Sequence, residues 1–216
     1  MLLPDIREKA VLVALSLISI LFVGISDLGA EGPMSLTTSL GVYHFNRSPY
    51  FQASEVAGLG APGLFEGARL DPIWWEYRVR PTWSISQVWG GPFWPVDAGP
   101  PGFSRSVEAF TNELILKYFL VRAPYQDILN SEVYIGAGPV IYEISEERPG
   151  ALGGTTEKKE IGGVFVVGGE IFMGEIMGIL LEAKYNFVSP IATPLGELDV
   201  SGFSFTFGPR FHFGGS

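Results

Sequence analysis

Cysteine is absent from this 216-residue chain, so disulfides, thiolate nucleophiles and Cys-based zinc sites are excluded together. Charge is scarce as well. Charged residues make up 17% of the chain, where a soluble domain carries roughly a quarter. Basic residues are the scarcer kind, 14 Lys and Arg against 23 Asp and Glu, for a formal charge of −9. A nucleic-acid partner is therefore not expected, because phosphate neutralisation needs clustered Lys and Arg. Histidine occurs twice, as His44 and His212. In a closed barrel the first and last strands are neighbours, so these two would either approach at one rim or lie at opposite rims. Without an accompanying carboxylate pattern they make no metal site. Neither metal nor cofactor is expected. Helical periodicity is missing beyond the first thirty residues, and no longer repeat is visible.

What is plentiful is glycine, 28 residues, and aromatics at 13%. The last strand-like stretch shows how they are used. Phe203, Phe205, Phe207, Phe211 and Phe213 share one parity, and Gly202, Ser204, Thr206, Gly208, Arg210 and His212 share the other. A period of two is a β-strand with one oily face. A register slip of one residue would exchange the phenylalanines for Arg210 and His212.

The same alternation recurs along the chain. Residues Met34–Phe45 form a first strand, with Leu36, Thr38, Leu40 and Val42 on one face. Further strands are read at 73–80, 82–89, 107–121, Glu132–Ser145, 161–171 and 177–187. Pro139 removes a ladder donor from the fifth, so a bulge is expected there. Polar or Gly/Pro-rich links follow the first, third, fifth and seventh strands, at 46–70, 90–106, 146–159 and 189–198. Shorter links follow the second, fourth and sixth. Eight strands suffice to close a sheet whose interior side chains fill, and alternating long and short links are those of a barrel with outer loops and periplasmic turns.

At the N-terminus, Arg7 and Lys9 precede an apolar run from Ala10 to about Ile25, followed by Gly29-Ala30. This is the layout of a secretory signal peptide, and the run is shorter than the ~20 residues of a spanning helix. Residues 1–30 are expected to be cleaved, and residues 31–216 to form the barrel domain.

Alternation alone would suit a soluble barrel with an oily lumen equally well. The second face decides between the two. It is mostly Gly, Ser, Thr and Asn, with Glu76, Arg78, Arg80, Glu113, Lys117, Glu170, Glu182, Lys184 and Arg210. Small residues and charges of both signs suit a narrow interior where ions are paired. These nine are the candidate lumen charge network. Trp74, Trp75, Trp89, Tyr118, Tyr134, Tyr185, Phe187, Phe211 and Phe213 fall near strand ends, as aromatic girdles do.

The segment Thr206-Phe207-Gly208-Pro209-Arg210-Phe211-His212-Phe213 resembles the C-terminal assembly signal of the small outer-membrane β-barrel proteins of Gram-negative bacteria. The resemblance implies that Thr206, Gly208, Phe211 and Phe213 are read by the barrel-assembly machinery. It implies residence in the outer membrane, with lipid and lipopolysaccharide as surroundings. Gly214-Gly215-Ser216 follow the usual terminal Phe, a departure from the pattern.

Two other motifs are weaker. Gly58-Leu59-Gly60-Ala61-Pro62-Gly63 matches G-x-G-x-x-G, but the dinucleotide fingerprint needs a strand before it and a helix after it. A flexible outer loop is the expectation. Some small barrels are lipid A deacylases or palmitoyltransferases. The deacylase pair, His-x-Ser on a late strand, has no counterpart in Tyr185-Asn186-Phe187-Val188-Ser189, so the base is missing. The sequence thus predicts an all-β fold, an eight-stranded antiparallel up-and-down transmembrane β-barrel. It is expected to be monomeric and non-enzymatic, with a salt-bridged lumen and an envelope or adhesion role through its outer loops. A narrow conduit for hydrophobic solutes is the first alternative and a lipid-modifying enzyme the second; a soluble lipid-binding barrel is the third.

Overall fold

The computed structural model describes residues 34–46, 48–56, 67–96, 105–122, 131–148, 154–174, 176–194 and 196–213. The expected signal peptide, the G-x-G-x-x-G segment, the 123–130 turn and the last three residues lie outside them. In chain order the elements are β1 (Met34–Phe45), α1 (Pro49–Val56), β2 (Gly67–Arg80), β3 (Trp83–Val96), β4 (Arg105–Arg122) and β5 (Ser131–Arg148). There follow β6 (Gly154–Phe172), β7 (Met177–Val188), β8 (Ile191–Thr193), β9 (Gly196–Leu198) and β10 (Gly202–Phe213).

Eight of the strands close on themselves in the order β1-β10-β7-β6-β5-β4-β3-β2, every neighbour antiparallel. The seam joins the first strand to the last, with Met34 opposite Phe213 and Phe45 opposite Gly202. Closure removes the edges that an open sheet would leave unpaired. β8 and β9 form a separate small hairpin within the expected fourth loop.

The period-two faces are oriented as their chemistry requires. Phe205, Phe207, Phe211 and Phe213 point out of the barrel, as do Leu114, Leu116, Phe165, Val167, Ile179 and Leu181. Arg210, Glu182 and Lys184 point in and are at most 3% exposed. A soluble lipid-binding barrel would show the reverse. Contiguous exposed apolar surface this extensive requires a non-aqueous neighbour.

Three expectations about the strands are corrected. The polar stretch 146–159 is mostly sheet, since β5 and β6 stay paired up to Arg148 opposite Gly154. Both faces of β6 are largely exposed there, so no hydrophobic alternation marks the strand. β7 pairs with β6 only from Gly162 onward, and the part of β6 beyond carries Glu157, Lys158, Lys159 and Glu160. Charges on such an edge resist addition of a foreign strand. Second, the register runs through Pro139 without a bulge, with Gly163 as the facing residue. Third, a register shift falls instead between Leu70 and Ile73, around Pro72, and β2 begins six residues earlier than its alternation suggests.

Candidate functional site

The lumen contains the chemistry, and every barrel strand contributes to it. Inward parity on β2 after the bulge places Trp74 and Glu76 inside; on β4 it selects Glu113 and Lys117; on β7, Glu182 and Lys184; on β10, Arg210. These side chains form one chain of alternating charge. Lys184 Nζ lies 3.3 Å from Asp71, 3.1 Å from Glu113 and 3.4 Å from Glu182. Lys117 Nζ is 3.0 Å from Glu182 and 3.0 Å from Glu76. Arg210 continues the chain, 2.8 Å from Glu76 and 3.1 Å from Glu170, and its Nε donates to Thr37. His212 pairs with Glu170 at the end of the barrel where β1 begins and β10 ends.

Side branches fix the geometry. Arg69 binds Asp71 at 3.1 Å and also Glu113, while Asn186 donates to Glu113 at 3.0 Å. Tyr134 donates to Glu182 at 2.5 Å, Ser86 to Glu76 at 2.9 Å, and Arg78 reaches Glu132 at 2.7 Å. The indole of Trp74 sits among three cations, with Lys117 at 4.2 Å, Lys184 at 4.8 Å and Arg210 at 5.3 Å from the ring centre. The negative face of an aromatic ring favours cations so placed. Arg69, Arg78, Lys117, Lys184 and Arg210 thus face Asp71, Glu76, Glu113, Glu132, Glu170 and Glu182. The carboxylates of this network exceed its lysines and arginines by one.

Eight of the nine sequence-predicted lumen charges face the interior. Arg80 does not: it is exposed at the β2–β3 turn, past a register shift between Arg78 and Arg80. Trp74 and Tyr134, expected in an aromatic girdle, are fully buried in the lumen. Their parity matches that of the interior charges, which outweighs their position near a strand end. The two histidines lie at opposite ends, with His44 opposite Phe203 and His212 opposite Ser35. Sequence reasoning missed Arg69 and Asp71, since the bulge at Pro72 reverses parity across it. It also missed Glu132 and the Glu170–His212 pair, whose partners meet only through the strand register. Thr206 and Gly208 lie on the inward side of β10, and Phe211 and Phe213 on its outward side at the end.

Glycine makes space for this packing. A side chain at Gly168 would start 2.5 Å from the Tyr134 hydroxyl and 2.6 Å from Glu182 Cγ. Gly168→Leu is expected to break the Tyr134–Glu182 hydrogen bond and to destabilise the barrel by about 1–3 kcal/mol, as overpacking does. Urea unfolding in detergent micelles checks it, and a loss no larger than for an outward-facing Val167→Leu would refute it.

Beyond the charged zone, toward the long links, the lumen becomes apolar. Val107, Ala109 and Ile144 are buried there, and so are Tyr50 and Phe51 of α1 and Ile191, Leu198 and Val200 of the β8–β9 region. Tyr43 donates to the Val200 carbonyl at 2.9 Å and Tyr50 donates to Glu146, so the cap is tied to the wall. Phe45 and Phe51 rings pack at 5.7 Å.

The closed eight-stranded barrel has counterparts among solved structures. The outer membrane protein OprG from Pseudomonas aeruginosa superposes with a TM-score of 0.60 at 11% identity, over 85% of this chain and 97% of that one. Neisserial surface protein A gives 0.55 at 12% identity, over 85% and 98%. The fold is that of the small outer-membrane β-barrel proteins. The N-terminal β-barrel domain of P. aeruginosa OprF also matches, with a TM-score of 0.53 at 10% identity, over 84% of this chain and 99% of that one. No family model and no curated relative matches the chain. In a small outer-membrane barrel the apolar exterior is the transmembrane wall, and the charged interior is shielded from lipid by it.

Proposed function

We propose that this chain is a non-enzymatic barrel of the outer membrane whose lumen is closed by an ion-paired plug, and which serves the envelope through its structure and its outer loops. The observation that carries the reading is the unbroken chain from Asp71 through Lys184, Glu182, Lys117, Glu76 and Arg210 to Glu170. The side chains of Lys117 and Lys184, mid-chain, have no solvent exposure, which supports a closed lumen. Lipid and lipopolysaccharide surround the barrel in this reading. The assembly machinery recognises Thr206, Gly208, Phe211 and Phe213, and the barrel acts as a monomer.

Planar-bilayer recording tests it. The purified barrel is expected to show no stable open level under conditions where a water-filled porin shows one. Joint replacement of Glu182 and Lys184 by leucine is expected to change stability far more than conductance. Large stable pores in the unaltered protein would overturn the plug.

The apolar zone above the plug favours one further reading, a conduit for small hydrophobic solutes entering past Phe51 and Tyr50. Uptake of an apolar probe by vesicles containing the barrel, unchanged on cutting out α1, would count against it. Lipid A mass analysis with and without the protein tests the enzymatic reading, and altered acyl content would overturn the non-enzymatic one.

A further inference from the structure

Most of the outward wall is filled by large apolar side chains, but it has a furrow. Two rows of outward residues cross β5, β6, β7 and β10 side by side. One reads Val133, Gly169, Leu181, Phe207, and the next has Ala183 between Val167 and Phe205. Gly169 and Ala183 therefore leave adjoining gaps, walled by Val133 and Leu181 on one side and by Phe205 on the other. The space at this place is about 690 Å³, and its surface is almost wholly apolar. That is within the roughly 300–1,000 Å³ of small-molecule sites.

The occupant follows from where the furrow lies. It opens on the wall that meets lipid, so it is continuous with that interface. The furrow slants along the wall. On β5 and β6 the Val133–Gly169 row is two residues from Ser131 and Ile171, at the end of the barrel that carries the short links. From there it rises to Phe205 and Val42, each three residues from the long-link end of its strand, so a chain that enters from the short-link end runs up its length. Short turns of such barrels face the periplasm. We propose that the furrow holds one acyl chain of a phospholipid from the periplasmic leaflet in a fixed position. This rests on the outer-membrane reading above. Lipid tails are as apolar as leucine, so hydrophobic driving force does not distinguish the furrow from the rest of the wall. Selection comes from dispersion contact on three sides of the chain rather than one.

The test uses the full-length barrel reconstituted in vesicles of phosphatidylethanolamine and phosphatidylglycerol containing lipopolysaccharide. After gentle extraction into detergent, bound lipid is counted by native mass spectrometry. One phospholipid is expected to survive on the unaltered barrel, and Ala183→Phe should cut the retained fraction about tenfold by removing the contact surface. Ala183→Leu serves if the larger side chain prevents folding. Ile141→Phe, elsewhere on the outward wall, should leave retention unchanged. Equal retention in the Ala183 variants, equal loss in the Ile141 variant, or lipopolysaccharide in place of phospholipid overturns the proposal. Vesicle flotation separates the two levels of the argument: a barrel that does not float removes the membrane reading, whereas one that floats without a retained phospholipid removes only the furrow.

Discussion

Replacement of Glu113 by leucine is expected to lower the unfolding free energy by about 3–5 kcal/mol, the cost of leaving buried charge without its partner. Glu113 binds Arg69, accepts from Asn186, and lies 3.1 Å from Lys184. With it gone, Arg69 keeps only one carboxylate, Asp71 at 3.1 Å, and Lys184 must share that same Asp71, at 3.3 Å, and a more distant Glu182 at 3.4 Å. Both side chains are wholly buried, so water does not take over the lost contacts. Glu113→Gln is expected to cost less than leucine, since it keeps an acceptor for Asn186 or Arg69. Removing Glu113 together with Lys184 should cost less than the sum of the two single changes, because one change removes the charge that the other strands. Urea titration of the folded barrel in lipid vesicles, followed by tryptophan fluorescence, measures the four variants against the unaltered protein. A strictly additive double mutant would mean that the pair is not coupled and that the chain of charges is an accident of packing.

The wall of the barrel was legible because lipid imposes one rule on every strand, and the alternation of Phe205, Phe207 and Phe211 with Thr206, Gly208 and Arg210 states it directly. Where that rule lapses, the reading lapsed too. Residues 146–148 and 154–159 stand beyond the apolar band, so neither face of the strands there must be greasy and the strands pass for a loop. Arg69 and Asp71 were hidden by a bulge at Pro72, which shifts parity by one and breaks the pattern at the point where the plug begins. Trp74 was assigned by its type, aromatic near an end, when its parity with Glu76 already put it inside. The pairing of Lys184 with Asp71 spans more than a hundred residues, and Glu170 with Arg210 joins β6 to a strand that is not its neighbour. Such contacts depend on barrel radius and register, and no local spacing records them.

The assignment of lipid to the outer wall has its own consequence, a depth profile. A strand crosses the hydrocarbon in about 9–11 residues at a tilt near 45°. On β4 the short-link end is Arg122, so Leu116 lies near mid-membrane and Leu120 near the interface. Both point outward, at 50% and 55% exposed. They differ only in depth. Leu116→Arg is expected to cost about 2–4 kcal/mol and Leu120→Arg about 0–1 kcal/mol, the range seen for arginine at the midplane and at the interface. An arginine at position 120 reaches headgroups and water with its own length, whereas one at 116 carries its charge into the hydrocarbon. In a soluble barrel both substitutions would sit in water and cost within about 0.5 kcal/mol of nothing. Unfolding in vesicles of defined thickness therefore separates the two settings. Thinner bilayers should reduce the Leu116→Arg penalty and leave the Leu120→Arg value where it was. Equal tolerance at the two positions would remove the bilayer from the account and leave the exposed apolar belt without a solvent.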